Sequence, residues 1–355
     1  MRMIHILLSL ALLLLGMHGD VWSQVDTESA LARINALPPK ERQEALLAGA
    51  RKEGVIEWYG SLLVNEVTDL IDAFKKRYPF IEVKYTRGGG TNLVSRVLTE
   101  QKAGTHKVDV FGGRGNLHVT LMKAGFVAKN IAPFRRDLRE GFMDKDGYFV
   151  GQYSYSLVFA YNTRNVPPNK APASYQELLN PEWKGQLALD IESYDWLAGM
   201  LDIMGEEKGL AFARKLAAQK IRLQRGHSML TQLVAAGESN IMVDGYHFQI
   251  LNFMGKGAPL DFIVPDPMIL KEPSGIWISK NAPHPHAAGL LVDFLFSPAG
   301  QKIHASQSRL SARNDMNWDF GGKKVKGIHV LSADKWATRY NELAQSFEEI
   351  FRKGN

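Results

Sequence analysis

The sequence contains no cysteine, and that one absence removes several chemistries. Disulfides, thiolate zinc sites and a cysteine nucleophile are excluded, as is a lipid anchor attached to a cysteine at a signal-cleavage site. The chain also lacks a Gly-x-Ser-x-Gly elbow and a His-Glu-x-x-His pair, so the commonest signatures of a secreted hydrolase are missing. It has no long run of one charge: 43 basic and 37 acidic residues are interspersed and the net charge is only +6. No nucleic-acid footprint results. Pairs such as Arg135-Arg136 read as solvated surface or helix ends. There is no short-period repeat and no low-complexity tract.

What is present is an ordinary globular composition, 45% hydrophobic, on a chain of 355 residues. That length favours two domains, since single cores stop growing near ~250–300 residues. At the N-terminus, Arg2 precedes an apolar run over residues 4–15, broken only by His5 and Ser9. The run is shorter than the ~20 residues a membrane span requires. Val21-Trp22-Ser23 then offers a cleavage position after Ser23. This is a signal-peptide pattern, and it predicts a mature protein that begins near Gln24 and lies outside the cytoplasm.

Beyond it, short apolar strands alternate with helical periods. Residues 26–54 read as amphipathic helix divided by Pro38-Pro39. Val55-Ile56-Glu57-Trp58-Tyr59 reads as a buried strand; Val67, Leu70, Ile71 and Phe74 follow at helical spacing, with Lys75-Lys76-Arg77 closing the helix. Ile81, Val83 and Tyr85 have strand period, Gly88-Gly89-Gly90-Thr91 interrupts, and Val108-Asp109-Val110-Phe111 is a strand ending at Gly112-Gly113. The alternation restarts with strands at residues 156–161, 185–190, 241–243, 260–264 and 275–278. Ser297-Pro298 has the cap and first-turn residues of a helix start. The pattern predicts mostly parallel α/β sheets covered on both faces, with ligands beyond the carboxyl ends of the strands.

The ordered set resembles a known family. Glu53-Gly54-Val55, the helix to Lys75-Lys76-Arg77-Tyr78-Pro79 and the glycine cluster resemble the opening of the bacterial extracellular solute-binding proteins of family 1. Ala160-Tyr161-Asn162-Thr163 is similar to their crossover strand. Pro181-Glu182-Trp183-Lys184-Gly185, Ala236-Gly237-Glu238 and Ser297-Pro298-Ala299-Gly300-Gln301 follow in the same order. The resemblance, which includes the ferric-ion-binding proteins, implies a type II periplasmic binding fold: two α/β lobes hinged by crossover strands. Lobe one would take residues 24–156 and 266–318, lobe two residues 157–265 and 319–355. The implied function is the periplasmic solute-binding component of an ABC importer, a monomer without enzymatic activity or cofactor that meets a permease. The cargo would be an organic or inorganic anion, or Fe3+. Presentation of the solute to a sensor kinase is an alternative role, and a secreted hydrolase a more distant one.

Candidate ligand residues follow from strand ends and from the family pattern. Tyr59 and Ser61 end the first strand. Gly90 and Thr91 open a helix whose amides suit an anion. Arg114 can reach a carboxylate or phosphoryl group. Tyr153 and Tyr155 precede the crossover strand, where anion-dependent ferric binders carry arginines. Glu192 and Asp195 are oxygen donors from lobe two. Tyr246 and His247 stand where ferric binders carry two adjacent tyrosines, so they are the metal ligands if iron is bound; otherwise Tyr246 is a cleft aromatic packing on an organic ligand. His227 and His304 read as surface or packing residues, as do His284 and His286.

Overall fold

The computed structural model describes residues 26–113 and 116–352. Its first elements are the helices Thr27–Asn35 and Pro39–Glu53, separated at Pro38. Asp26 caps the first by accepting from the Ser29 N–H. Pro39 starts the second, where its missing N–H has no partner to lose.

The strands in chain order are β1 (Val55–Gly60), β2 (Glu82–Arg87), β3 (Val110–Gly113), β4 (Gly151–Ser154), β5 (Leu157–Asn162), β6 (Leu187–Asp190), β7 (Arg222–Gln224), β8 (Ile241–Tyr246), β9 (Leu260–Ile263), β10 (Met268–Leu270), β11 (Ser274–Ile278), β12 (Leu310–Ser311) and β13 (Ile328–Val330). They assemble into a six-stranded sheet, order β12-β4-β11-β3-β1-β2, and a five-stranded sheet, order β7-β6-β8-β5-β9. β10 and β13 form a separate parallel pair.

The sheets are mixed, which corrects the expectation of mostly parallel ones. β1 runs parallel to β2 and β3, and β6 parallel to β7 and β8. β11 is antiparallel to β3 and β4, β12 to β4, and β5 to β8 and β9. The reason is direction of arrival. β1 and β4 end at the face between the two sheets. β11 and β12 start at that face after the chain has left the other lobe or turned back, so they run the opposite way.

Each sheet has its own core. Around the first, Trp58, Leu70 and Phe74 pack with Leu290, Leu291 and Phe294 of the helix Pro285–Phe296. Around the second, Phe159, Leu189 and Trp196 pack with Phe347 and Phe351 of the C-terminal helix Tyr340–Phe351. Asp202 fastens that C-terminal segment, taking bonds from His329 (3.0 Å) and the Trp336 indole (2.9 Å) and an ion pair from Lys335.

Gly112 and Gly113 end β3, as expected; a Cβ on Gly112 would lie 3.2 Å from the Gly275 carbonyl, so the small residue permits the close β3–β11 approach. Two local readings need correction. Arg135 is buried, not solvated. Its guanidinium donates to the Phe149 carbonyl at 3.1 Å and to Asp144, which satisfies its fixed fork. His284 is anchored to Asp109, at 2.9 Å from Nδ1; that hydrogen bond raises its pKa.

The two large sheets are linked by segments that pair with each other. β4 runs through Tyr155 and Ser156 directly into β5, while β10 returns through residues 271–273 into β11. Between them the Lys271 N–H donates to the Tyr155 carbonyl (3.0 Å), and the Ser154 hydroxyl donates to the Lys271 carbonyl (2.7 Å).

Candidate functional site

The strand ends of both sheets face a cavity of about 460 Å³. From the first sheet it receives Ser61, Leu62, Tyr153, Ser274 and Arg309, all beside the ends of β1, β4, β11 and β12. From the second it receives Tyr246, Phe248 and Gln249, where β8 passes without a loop into the helix His247–Gly255. Tyr155, Lys271 and Glu272 of the two linking segments, with Leu63 and Glu66, complete the lining.

Two cations dominate the chemistry. Lys271 is only 5% exposed. Its ammonium donates to the Tyr246 hydroxyl at 3.1 Å, pairs with Asp195 in the first turn of the helix Tyr194–Met204, and lies 5.2 Å from the Tyr246 ring centroid. Tyr155 meets Tyr246 edge to face at 4.8 Å. Arg309 enters from the other side, 2.6 Å from Glu66, with its guanidinium 4.2 Å over the Phe248 ring and 4.9 Å over Tyr153. Burial works against its charge, but Tyr153 and Glu66 hold its pKa above the ordinary value. Glu66 also accepts from the Leu63 N–H at 3.0 Å, capping the helix Val64–Arg77. Each buried cation therefore has one carboxylate partner and aromatic walls, the arrangement that offsets the cost of burying a charge. Helices beginning beside Leu63 and Tyr246 direct the positive ends of their dipoles toward the same space.

Behind Tyr246 lies a polar layer. His227, the first residue of the helix His227–Ala236, stacks on the Tyr246 ring at 3.8 Å with an 8° angle between planes. Its Nδ1 is 3.5 Å from Asp190. Its Nε2 is 3.0 Å from Asp244. Asp244 is fully buried and also accepts from the Ser193 hydroxyl. Burial pushes its carboxyl up, but His227 and Ser193 outweigh that and hold it below the ordinary range.

Of the candidate residues, Ser61, Tyr153, Tyr155 and Tyr246 line the cavity, and Asp195 reaches it through Lys271. Tyr59 does not line it: the side chain is buried, its hydroxyl 3.2 Å from Glu100, and burial with that carboxylate pushes its pKa to about 12. Glu192 pairs with Arg225 on the surface. Gly90 starts the helix Gly90–Lys102 and is not part of the lining; Thr91 follows it in that helix, and Arg114 lies outside the described residues.

His247 is turned away from Tyr246. It is fully buried, its Nδ1 accepts from the Ser156 N–H at 3.4 Å, and its ring packs 5.0 Å from Phe320. Burial, then Arg309, lowers its pKa to about 3. Tyr246 and His247 are therefore not brought together as a ligand pair, because successive residues at the end of a strand point to opposite faces. Among the described residues no three histidine, aspartate or glutamate side chains group closely enough to hold a metal ion.

Sequence reasoning missed Lys271, Arg309, Glu66, Phe248, Gln249 and His227. Some signal existed. Lys271 directly follows the buried run Met268–Leu270, and His227 opens a helix three residues after the strand Arg222–Gln224. Charged or polar residues at such junctions sit at the carboxyl ends of strands.

The matches to known proteins agree with this architecture. Residues 69–320 match the family model described as bacterial extracellular solute-binding protein. The Fe(3+)-binding periplasmic protein of Serratia marcescens is 23% identical over 266 residues, covering 72% of this chain and 77% of that protein. The iron-bound HitA structure from Pseudomonas aeruginosa aligns with a TM-score of 0.70 at 20% identity, over 82% of this chain and 99% of HitA. The periplasmic binding protein AfuA from Actinobacillus pleuropneumoniae, with fructose-6-phosphate bound, aligns at 0.68 and 20% identity, over 84% of this chain and 99% of AfuA. With the matched region spanning most of the chain and two lobes closing on one charged cavity, the protein belongs to the bacterial extracellular solute-binding proteins and has their type II periplasmic binding fold.

Proposed function

We propose that this solute-binding component of an ABC importer carries a small organic anion, a phosphate ester or carboxylate, between its lobes. The observation that carries the reading is the buried Lys271 ammonium, 3.1 Å from the Tyr246 hydroxyl in the cavity lining. An anionic group arriving there gains the Lys271 and Arg309 charges and the helix dipoles. The rings of Tyr155, Tyr246 and Phe248 offer faces and edges for the organic part of the solute. Export through residues 1–23, with cleavage after Ser23, belongs to the same proposal, as do monomeric state and delivery to a permease. Those N-terminal residues lie outside the described ones.

A second reading, Fe3+ as cargo, draws on three tyrosines in one cavity, Tyr153, Tyr155 and Tyr246, since phenolate oxygens suit hard cations. Lys271 and Arg309 oppose it electrostatically, while Glu66, Glu272 and the nearby Asp195 favour a cation.

The test is a thermal-shift and calorimetric comparison of the purified mature protein with inorganic phosphate, a hexose 6-phosphate, citrate and Fe(III). Ligand at a hundredfold excess over Kd stabilises by ~2.7 kcal/mol, so a binding anion raises Tm visibly. Tight Fe(III) binding with a visible phenolate-to-iron band, and no response to any of the anions, would overturn the reading in favour of iron.

A further inference from the structure

The charged cavity adjoins a second one of about 430 Å³ that shares Leu63, Glu66, Phe248 and Gln249 with it. The two differ in chemistry. The first holds Lys271, Arg309, Glu272 and the tyrosines. The second is lined largely by neutral hydrogen-bonding side chains, among them Asn65, Ser228, Asn252, Gln307 and Ser308, with Glu66 and Lys256 as its charged groups. It too lies between the sheets' domains, with Asn65 and Gln307 on one side and Ser228 and Asn252 on the other.

Two of its amides are incompletely satisfied. Gln307 donates from Nε2 to the Glu66 carbonyl (3.0 Å) and to Asp69 (3.2 Å), and its Oε1 has no hydrogen-bond partner. Gln249 donates to the Ser228 hydroxyl at 3.2 Å, and its Oε1 likewise has none. Both oxygens are buried in this conformation, so each amide must turn toward the chamber to meet a donor, and until it does the unpartnered acceptor costs stability. Hydroxyl groups are donors that bring no charge, and a neutral amide and hydroxyl lining suits them.

We infer that the cleft is bipartite and that its solute is an anion carrying a polyhydroxyl extension, such as an oligosaccharide phosphate. The anionic group sits at Lys271 and Arg309, and the extension passes Phe248 and Gln249 to hydrogen-bond the amides of the second chamber. This rests on the proposal that the first chamber takes an organic anion.

The experiment measures Kd by calorimetry for inorganic phosphate, glucose 6-phosphate and trehalose 6-phosphate, on the wild-type protein and on Asn252→Leu and Gln307→Leu. The ligand-free Tm of each variant checks its fold. Trehalose 6-phosphate is expected to bind at least about tenfold more tightly than glucose 6-phosphate, the equivalent of one to three added hydrogen bonds. Each variant should erase most of that ratio. Equal affinity for the two sugar phosphates, or a ratio that survives in both folded variants, overturns the bipartite cleft while leaving the anion reading standing. Failure of all three phosphates to bind overturns the bipartite cleft, and failure of citrate as well overturns the anion reading.

Discussion

His227 lies flat against Tyr246, the ring centroids 3.8 Å apart and the planes 8° from parallel. The imidazole is at once the floor under a cavity-lining phenol and a polar neighbour of Asp244 and Asp190. Replacing it with alanine removes both supports. Taking one partner away from a buried polar group costs about 1–3 kcal/mol, so His227→Ala is expected to lower the urea midpoint and to weaken solute binding. A variant with wild-type stability would show that Asp244 does not depend on this ring.

Tyr246→Phe keeps the stack on His227 and removes only the hydroxyl that Lys271 holds. Hydrogen bonds to charged groups contribute about 1.5–3 kcal/mol. The variant should therefore fold normally and bind the solute about tenfold more weakly or worse, as read by titration calorimetry. Unchanged affinity in both Tyr246→Phe and Tyr246→Ala would place the ligand elsewhere.

Lys271→Met keeps much of the side-chain length and deletes the cation that pairs with Asp195. Binding of a phosphorylated probe should become undetectable at millimolar concentration. Retention of affinity within twofold would remove Lys271 from the anion site.

His304 is fully buried beneath Tyr153, with neither ring nitrogen hydrogen-bonded. Burial, then Arg309, lowers its pKa from 6.5 to about 3. In the unfolded chain it protonates near its ordinary value, so its contribution to stability is present above pH 6.5 and is lost as pH falls from there toward 3. The loss approaches about 1.4 kcal/mol per pH unit, and His247, lowered for the same reason, adds a second such slope. Urea unfolding of His304→Leu between pH 6 and 4.5 should show a shallower pH dependence than wild type, with stability at pH 6 equal or higher. Identical slopes would mean that His304 is charged in the folded protein.

Much of the fold could be read along the chain. The helix over Val67, Leu70 and Phe74 and the strand over Ile56, Trp58 and Tyr59 appeared where the periodicity put them. Both periods reflect which neighbours in sequence share a buried face. The Ser297 cap was legible for a similar reason: a hydroxyl three residues before an amide is a local matter, and Ser297 does accept from the Gly300 N–H. Direction of pairing was not legible. Whether β11 meets β3 parallel or antiparallel depends on the side from which the chain returns after more than a hundred residues elsewhere.

The site divides along the same line. Strand ends in the sequence pointed to Ser61, and the family pattern to Tyr153 and Tyr155 before the crossover strand and to Tyr246 at the end of β8; all four line the cavity. Sequence by itself could not determine that Lys271 and Arg309 would join them, because they come from segments 25 and 63 residues beyond Tyr246 and meet it only when the two lobes face each other. Nor could it tell Tyr246 from His247. The two are adjacent in the chain, and only the packing of β8 against β5 decided that the phenol faces the cavity while the imidazole is enclosed by Ser156 and Phe320. Local patterns specify elements because burial along one element is set by near neighbours, whereas a binding site is a meeting of element ends whose separation in sequence carries no information about their distance in space.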